Sequence, residues 1–156
     1  MHARMSCEVR GNHLTLAGAI DENTQLVRML DHAKDQRVVL DLGGITFINS
    51  QGIREWIRLQ EVAAQARIRI ELVRVAEPLV HQLNITPAAR GLASVTSFFA
   101  PYECDNCDVE HLMLLDVRTH RDDLAALRAP AMKCPDCNQP MDFADPPDLY
   151  FMFLGG

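Results

Sequence analysis

Two pairs of cysteines in the last third of the chain have the spacing of a metal site. Cys104 and Cys107 form one C-x₂-C pair, Cys134 and Cys137 form the other, and 26 residues separate the pairs. Each pair can wrap one side of an ion on a tight turn, and four thiolates complete the closed tetrahedral shell of structural zinc. Because sulfur fills all four positions, none remains for a catalytic water. The spacing predicts a structural Zn²⁺ ion that holds together a segment too small to bury its own core.

Other uses of these thiols stay open from the sequence. Redox-active or unused cysteines are the alternative to zinc, whereas the odd total of five cysteines argues against a disulfide scaffold. His111 and His120 lie between the two pairs and offer substitute ligands. The fifth cysteine, Cys7, is interpreted as a small core residue on the first strand.

A second candidate site lies where an amphipathic helix is expected to begin. Asn49 and Ser50 directly precede this helical pattern, and their side-chain oxygens suit a helix start. Free backbone N–H groups and the positive end of the helix dipole would also stabilise a phosphate there, which adds about two negative charges. Ser50 is therefore a helix cap, a phosphorylation switch, or both. Trp56 on this helix is expected in the core, with a partner anchor as the alternative.

The elements that position these residues alternate between strand and helix patterns. Gly43 and Gly44 are expected to end the central strand, which a second short apolar patch then follows. A strand, a helix and a strand in succession predict a parallel, right-handed unit. The predicted strands cover residues 5–9, 14–18, 38–42, 68–72 and 95–99, and the predicted helices cover residues 26–33, 51–66 and 77–83.

Three motifs along this stretch resemble a known family. The chain reads Leu-x-Gly-x-Ile-Asp-Glu over residues 16–22, Val-Val-Leu-Asp-Leu over residues 38–42, and Phe-Ile-Asn-Ser-Gln-Gly-Ile over residues 47–53. Together they resemble the STAS domain of bacterial anti-sigma factor antagonists, over about residues 7–99. The resemblance implies an α/β fold in which helices pack on a STAS-like mixed sheet.

The resemblance also implies a role for the residues at the helix start. In the family the last motif usually reads Asp-Ser-Ser-Gly or Asp-Ser-Thr-Gly, and its first serine commonly accepts phosphate from an anti-sigma factor kinase. Ser50 aligns with this phosphoacceptor, while Asn49 replaces the aspartate and Gln51 replaces the next serine or threonine. Partner binding is expected through Asn49, Ser50, Gln51 and Arg54. Asp41 is either a family signature residue lining the loop beside Ser50 or a polar residue that closes the strand.

The composition then changes to acids, cysteines and prolines, which suggests a domain boundary. The expected domains are a STAS domain at residues 1–101 and a small β-rich, zinc-ribbon-like module at residues 102–156. Two apolar stretches of this module, residues 112–115 and 149–154, are expected to pair as strands and pack on the protein. The alternative is that the second stretch offers an edge or an apolar face to another chain.

The hydrophobic content, the absence of a long apolar run and the net charge limit which classes of protein this chain can belong to. The 156 residues are 48% hydrophobic, which is enough for a packed core. No apolar run approaches the roughly 18 residues of a membrane span, and the start of the chain lacks the apolar stretch of a signal peptide, so the expected location is cytoplasmic. The net charge of −6 arises in residues 104–156, which carry 10 acids and 4 bases. Such an acidic surface argues against nucleic acid as a partner.

These patterns favour a non-enzymatic regulatory module in bacterial signal transduction. Its expected partner is an anti-sigma factor, a serine-kinase-like protein or another regulatory protein. The alternative is a constitutive scaffold or assembly subunit without phosphorylation, in which the zinc ribbon supplies a second protein interface. The chain could also form a homodimer. An enzyme is least favoured, because the sequence yields no nucleophile–base pair and no open metal site.

Overall fold

The computed structural model describes residues 3–155, which form an α/β fold with a β-rich C-terminal segment. The strands are β1 (Ser6–Arg10), β2 (His13–Ile20), β3 (Arg37–Ile48), β4 (Arg69–Val73), β5 (Ser94–Val95), β6 (Ser97–Cys104), β7 (Val109–Asp116) and β8 (Asp142–Phe143). The helices are α1 (Ser50–Gln65), α2 (Glu77–Ile85), α3 (Arg121–Ala125) and α4 (Pro147–Tyr150), with 3₁₀ helices at Leu26–His32, Pro87–Ala89 and Met152–Gly155. Within the described part of the chain, none of these helices has the length and apolarity needed to cross a membrane.

The first sheet is mixed and has the order β1-β2-β3-β4-β5. β1 and β2 form an antiparallel hairpin around Gly11, whose φ of 62° is left-handed and suits glycine. All other neighbours pair in parallel. The helices α1 and α2 connect the parallel strands β3, β4 and β5, which confirms the predicted parallel arrangement.

The central strand β3 is longer than we predicted, because Gly43 and Gly44 do not end it. β3 continues through both glycines to Ile48 and includes the second apolar patch. A Cβ on Gly44 would lie 2.7 Å from the Cβ of Ala17 on β2, so the missing side chain allows the two strands to approach closely. The β2–β3 register also shifts beside Ala17. As a result, β3 leads directly to the first turn of α1.

The predicted helix over residues 26–33 is a 3₁₀ helix, Leu26–His32. Its inward-facing residues are as expected, since Leu26, Met29 and Leu30 are buried. With three residues per turn, the side chains of Leu26 and Met29 lie one above the other and cover the same part of the core.

The second sheet is antiparallel and has the order β7-β6-β8. The single strand predicted for residues 95–99 is in fact two strands, because β5 belongs to the first sheet and β6 to the second. A backbone bridge between Val75 and Phe98 connects the sheets, and Pro101, at the expected domain boundary, lies inside β6. The buried apolar side chains of both sheets form one continuous core.

The aromatic end of the chain packs as helices, not as the strand that we predicted. Tyr150, Phe151 and Phe153 are buried, and the rings of Phe98 and Phe153 lie 5.2 Å apart between centroids. The side chain of Asn84 on α2 donates to the Tyr150 carbonyl at 2.9 Å and accepts from the Phe153 amide at 2.8 Å. These contacts support the expectation that this stretch packs on the protein, although it does so without forming a strand.

Candidate functional site

The four cysteines come together on two similar turns. Cys104 ends β6, and Cys107 lies in the turn that leads into β7. Cys134 and Cys137 lie on a second turn, inside an antiparallel bridge between Lys133 and Pro140. A left-handed residue follows each pair, Asp108 with φ of 54° and Asn138 with φ of 63°. Asp and Asn tolerate this conformation. An Asp or Asn directly after the second cysteine of each pair is therefore a sequence signal for these turns, and our prediction did not use it.

The distances between the sulfurs fit one metal ion and do not fit disulfides. Cys104 Sγ and Cys137 Sγ are 3.5 Å apart, and Cys134 Sγ and Cys107 Sγ are 4.0 Å apart. Four sulfurs at about 2.3 Å from a central ion lie about 3.8 Å from one another in a tetrahedron. A disulfide needs a sulfur–sulfur distance of about 2.05 Å. All four ligand atoms lie within 4.8 Å of one another, so the cluster is compatible with a metal site.

The electrostatics of the cluster also favour a bound cation. The backbone amide of Gln139, followed by the side chain of Asn106, lowers the pKa of Cys137 to about 6. The Cys137 sulfur, followed by burial, raises the pKa of Cys107 to about 12. One thiolate is therefore available near neutral pH, while four adjacent thiolates need a cation to ionise together.

His111, one of the two candidate substitute ligands, touches the edge of the cluster. Its Nε2 lies 3.5 Å from Cys134 Sγ and 3.4 Å from a carboxylate oxygen of Asp136. At these distances the imidazole can hydrogen-bond the sulfur and the carboxylate while the four cysteines remain the ligands. His120, in contrast, immediately precedes α3 and belongs to none of the ligand clusters in residues 3–155.

At the start of α1, the helix cap is Asn49 and not Ser50. Asn49 Oδ1 accepts from the Gly52 amide at 2.8 Å, and its Nδ2 donates to a carboxylate oxygen of Glu22 at 3.0 Å. The Asn49–Glu22 bond lowers the pKa of Glu22. Glu22 is 27 positions away in the chain, so no local pattern identified it as part of this surface. The sequence alternative in which Ser50 itself is the cap is therefore wrong.

Ser50 is the first residue of α1 and is exposed. Within residues 3–155, its hydroxyl makes no hydrogen bond to another group. Gln51 and Arg54 are also exposed, and Arg54 lies one turn after Ser50 on the same side of the helix. The four residues expected at the partner surface thus surround the first turn of α1. Trp56 faces the opposite way, is fully buried, and donates from Nε1 to the Ala89 carbonyl at 2.7 Å, so it belongs to the core.

Asp41 is not part of this surface. Ile48 lies seven positions further along the extended strand, a distance of roughly 20 Å. Its carboxylate accepts from the Gly43 amide at 3.1 Å and pairs with Arg74 at 3.3 Å. The Arg74 guanidinium also lies 5.6 Å from the ring centroid of Phe99 on β6. Asp41 therefore connects the two sheets through Arg74. Both sequence alternatives are wrong, because Asp41 does not lie beside Ser50 and because β3 continues past it to Ile48.

Known proteins add no family assignment to this geometry. Neither a scan against protein-family models nor a search of curated proteins finds a match for the chain.

Proposed function

We propose that this chain is a non-enzymatic, STAS-like regulatory module that binds a partner protein through the first turn of α1. The sequence motifs support a domain of the anti-sigma factor antagonist type. The mixed sheet, with α1 directly after its central strand, is compatible with that family. The contact surface is Asn49, Ser50, Gln51 and Arg54. The partner is an anti-sigma factor, a serine-kinase-like protein or a related regulatory protein.

One observation carries the proposal: the Ser50 hydroxyl is exposed at a helix start, and another residue caps the helix. Because Asn49 satisfies the Gly52 amide, phosphorylation of Ser50 would not remove the cap. The dipole of α1 favours a negative group at its first residue. Arg54, one turn later, offers a guanidinium for a phosphate on Ser50. Ser50 is thus the phosphoacceptor in the proposed switch.

Phosphate would act by changing the charge of the contact surface. A phosphoserine carries about two negative charges and must lose water when a partner covers it. Glu22, which is bound to Asn49, adds a carboxylate to the same area. A partner suited to the unmodified surface would therefore be released after phosphorylation.

The test compares variants of Ser50 with a matched charge elsewhere. The partner is recovered by co-purification from the native cell, and its affinity is measured for Ser50→Ala, Ser50→Asp and the control Ser94→Asp. Ser94 is exposed in β5, an edge strand of the first sheet, and is not part of the first turn of α1. We expect Ser50→Asp to weaken binding at least about tenfold, which is about 1.4 kcal/mol, and Ser94→Asp to leave it unchanged.

Incubation with the recovered kinase and ATP, followed by peptide mapping, identifies the modified residue. Phosphate on the Ser50 peptide, absent in Ser50→Ala, supports the switch. Full affinity of Ser50→Asp for every recovered partner would rule it out.

We also propose that the four cysteines bind one structural Zn²⁺ ion. The sulfur spacing and the closed set of four thiolates support zinc. Elemental analysis of the purified protein should give zinc bound to this site, and a Cys134→Ser variant should lose it. Iron, or a cluster with inorganic sulfide, would contradict this assignment.

A constitutive scaffold is the second candidate function, and one feature of β7 favours it. Leu112 and Leu114 lie on one face of this edge strand and are 51% and 47% exposed. Such a strip suits a second protein interface on the ribbon. In this case Leu112→Glu should abolish partner binding, whereas Ser50→Ala and Ser50→Asp should not. Val9→Glu, on the edge strand β1 of the first sheet, is the matched control, since Val9 is 41% exposed.

A further inference from the structure

A second group of metal-ligand side chains lies outside the cysteine cluster. Glu77 and His81 project from α2, and Asp145 lies in the loop between β8 and α4. One ligand atom from each residue lies within 4.8 Å of the other two. The spacing of four residues places Glu77 and His81 on the same face of α2. Three donors from two separate segments thus converge on one point.

The charges at this point are not balanced by the protein. Among residues 3–155, no lysine or arginine forms an ion pair with Glu77 or Asp145. The same holds for Glu110, whose negative charge acts on Glu77. Glu77 and Asp145 thus face each other beside His81 with neither a lysine nor an arginine paired to them, an arrangement that leaves a place for a metal ion.

The segments that carry the three donors are held by other contacts. The His81 ring packs edge-on against the ring of Tyr150, with 5.8 Å between centroids. The Tyr150 hydroxyl donates to the Phe99 carbonyl at 2.6 Å. The amide of Ala144, directly before Asp145, donates to the Pro101 carbonyl at 3.0 Å. The backbone on both sides of the cluster is therefore fixed without the ion, as a preorganised site requires.

We propose that Glu77, His81 and Asp145 bind one divalent first-row transition ion, for which Zn²⁺ is the natural probe. An imidazole nitrogen with two carboxylate oxygens suits zinc, manganese or iron, whereas Mg²⁺ and Ca²⁺ prefer oxygen ligands alone. Water completes the coordination, because three protein donors leave a position open. The ion joins α2 to the loop after β8, and so ties the C-terminal segment to a helix of the first sheet.

The experiment counts metal ions per chain in the full-length protein. The protein is loaded with Zn²⁺, free ions are removed, and bound zinc is measured in wild type, His81→Ala, Glu77→Gln and Asp148→Asn. Asp148 is exposed three residues after Asp145 and serves as the matched control. We expect two ions in wild type and Asp148→Asn, and one in the other two variants. In a calorimetric titration, affinity for the second ion should fall at least about tenfold in His81→Ala.

Replacing zinc with Co²⁺ separates the two sites. Cobalt bound to the cysteines gives strong sulfur-to-metal charge-transfer absorption, and cobalt at the second site gives only weak bands. Unchanged charge-transfer absorption in His81→Ala and Glu77→Gln shows that these variants are folded and keep the first ion. A single ion in wild type at all zinc concentrations, or two ions in His81→Ala, would overturn the proposal. Neither result bears on the role of Ser50.

Discussion

At the scale of single residues, Asn49 makes two hydrogen bonds at the start of α1 that an aspartate there could not make together. An aspartate at this position could also accept from the Gly52 amide, but it could not donate to the Glu22 carboxylate. The Asn49 amide does both, with bonds of 2.8 Å and 3.0 Å. An aspartate there would face the Glu22 carboxylate with a like charge, whereas the asparagine bonds to it and keeps the cap.

Replacing Asn49 with alanine should destabilise the protein, whereas replacing Ser50 should not. Asn49→Ala removes the cap of α1 and the bond to Glu22, so we expect a loss of about 1 kcal/mol in the free energy of unfolding. Ser50→Ala removes an exposed hydroxyl and should change it by less than about 0.5 kcal/mol. Urea unfolding of both variants measures the difference. Equal losses would mean that Ser50 contributes to the cap.

Glu71 should make a small, acid-sensitive contribution to stability. The Arg37 guanidinium, followed by the Thr96 hydroxyl, lowers the pKa of Glu71 from its ordinary value of 4.5. A carboxyl whose pKa is lower in the folded state stabilises the protein above its unfolded pKa. This contribution disappears as the pH falls through the folded pKa.

The wild-type protein should therefore exceed Glu71→Gln in stability at pH 7, by less than about 1 kcal/mol because the pair is partly exposed. The difference should begin to shrink as the pH falls through the ordinary pKa of 4.5 and should vanish only below the lowered folded pKa. Urea unfolding across this pH range measures it. Glu8→Gln, which removes an exposed carboxylate beside Arg10, is the control. A difference that grows toward acid pH would contradict the assignment.

The residues that sequence analysis placed correctly are those whose role depends on local spacing. The cysteine pairs lie on adjacent turns, and Ser50 lies at a helix start, because each pattern is contained within a few residues. The role of Asp41 depends on Arg74, 33 positions away, so the sequence left it undecided. The cap was also ambiguous, because Asn and Ser are both good cap residues and stand side by side.

At the scale of elements, the strands and helices with clear periodicity were predictable, and those set by distant packing were not. The positions of α1 and α2 and the parallel pairing of β3 with β4 agree with the sequence pattern. The continuation of β3 through Gly44 depends on contact with Ala17 in another strand, which local turn preferences cannot show. The aromatic tail, residues 149–154, likewise shows neither a clear alternation of apolar and polar residues nor a clear helical period. Its packing on α2 could therefore not be predicted.

The tail should contribute strongly to stability through one of its rings. Phe151 is fully buried, so Phe151→Ala should lower the free energy of unfolding by about 3 to 5 kcal/mol. Met152, the next residue, is 41% exposed, and Met152→Ala should cost less than about 1 kcal/mol. Thermal or urea unfolding of both variants measures the difference. Similar values for the two would mean that the tail is not docked in solution.

At the scale of the whole molecule, the two sheets share one core, but we expect the proposed metal ion to stabilise them to different degrees. Leu40, Leu72 and Trp56 form the core of the first sheet without help from the cysteines. In the two cysteine turns, Cys104 and Cys134 are buried, whereas Cys107 and Cys137 are partly exposed. We therefore expect these turns to depend on the proposed ion more than the first sheet does.

Removal of the metal should loosen the second sheet before the first. After chelation, hydrogen exchange should become faster in β7 and β8, while β2, β3 and β4 keep their protection. Exchange followed by mass spectrometry measures this for each segment.

His111→Ala should lower the affinity of the cysteine cluster for the ion by about 10- to 100-fold, because the imidazole contacts Cys134. A metal-binding titration of this variant measures the loss. In the exchange experiment after chelation, a uniform loss of protection across both sheets would show instead that the ion stabilises the whole fold.

Strand β6 runs across the expected domain boundary, so the chain cannot be cut there without breaking a strand. Phe98, near the start of the strand, lies beneath the tail, and Cys104, at its end, belongs to the metal cluster. A cut at residue 101 would divide β6 and expose apolar side chains that pack against α2. We therefore expect neither part to fold well when it is expressed without the other.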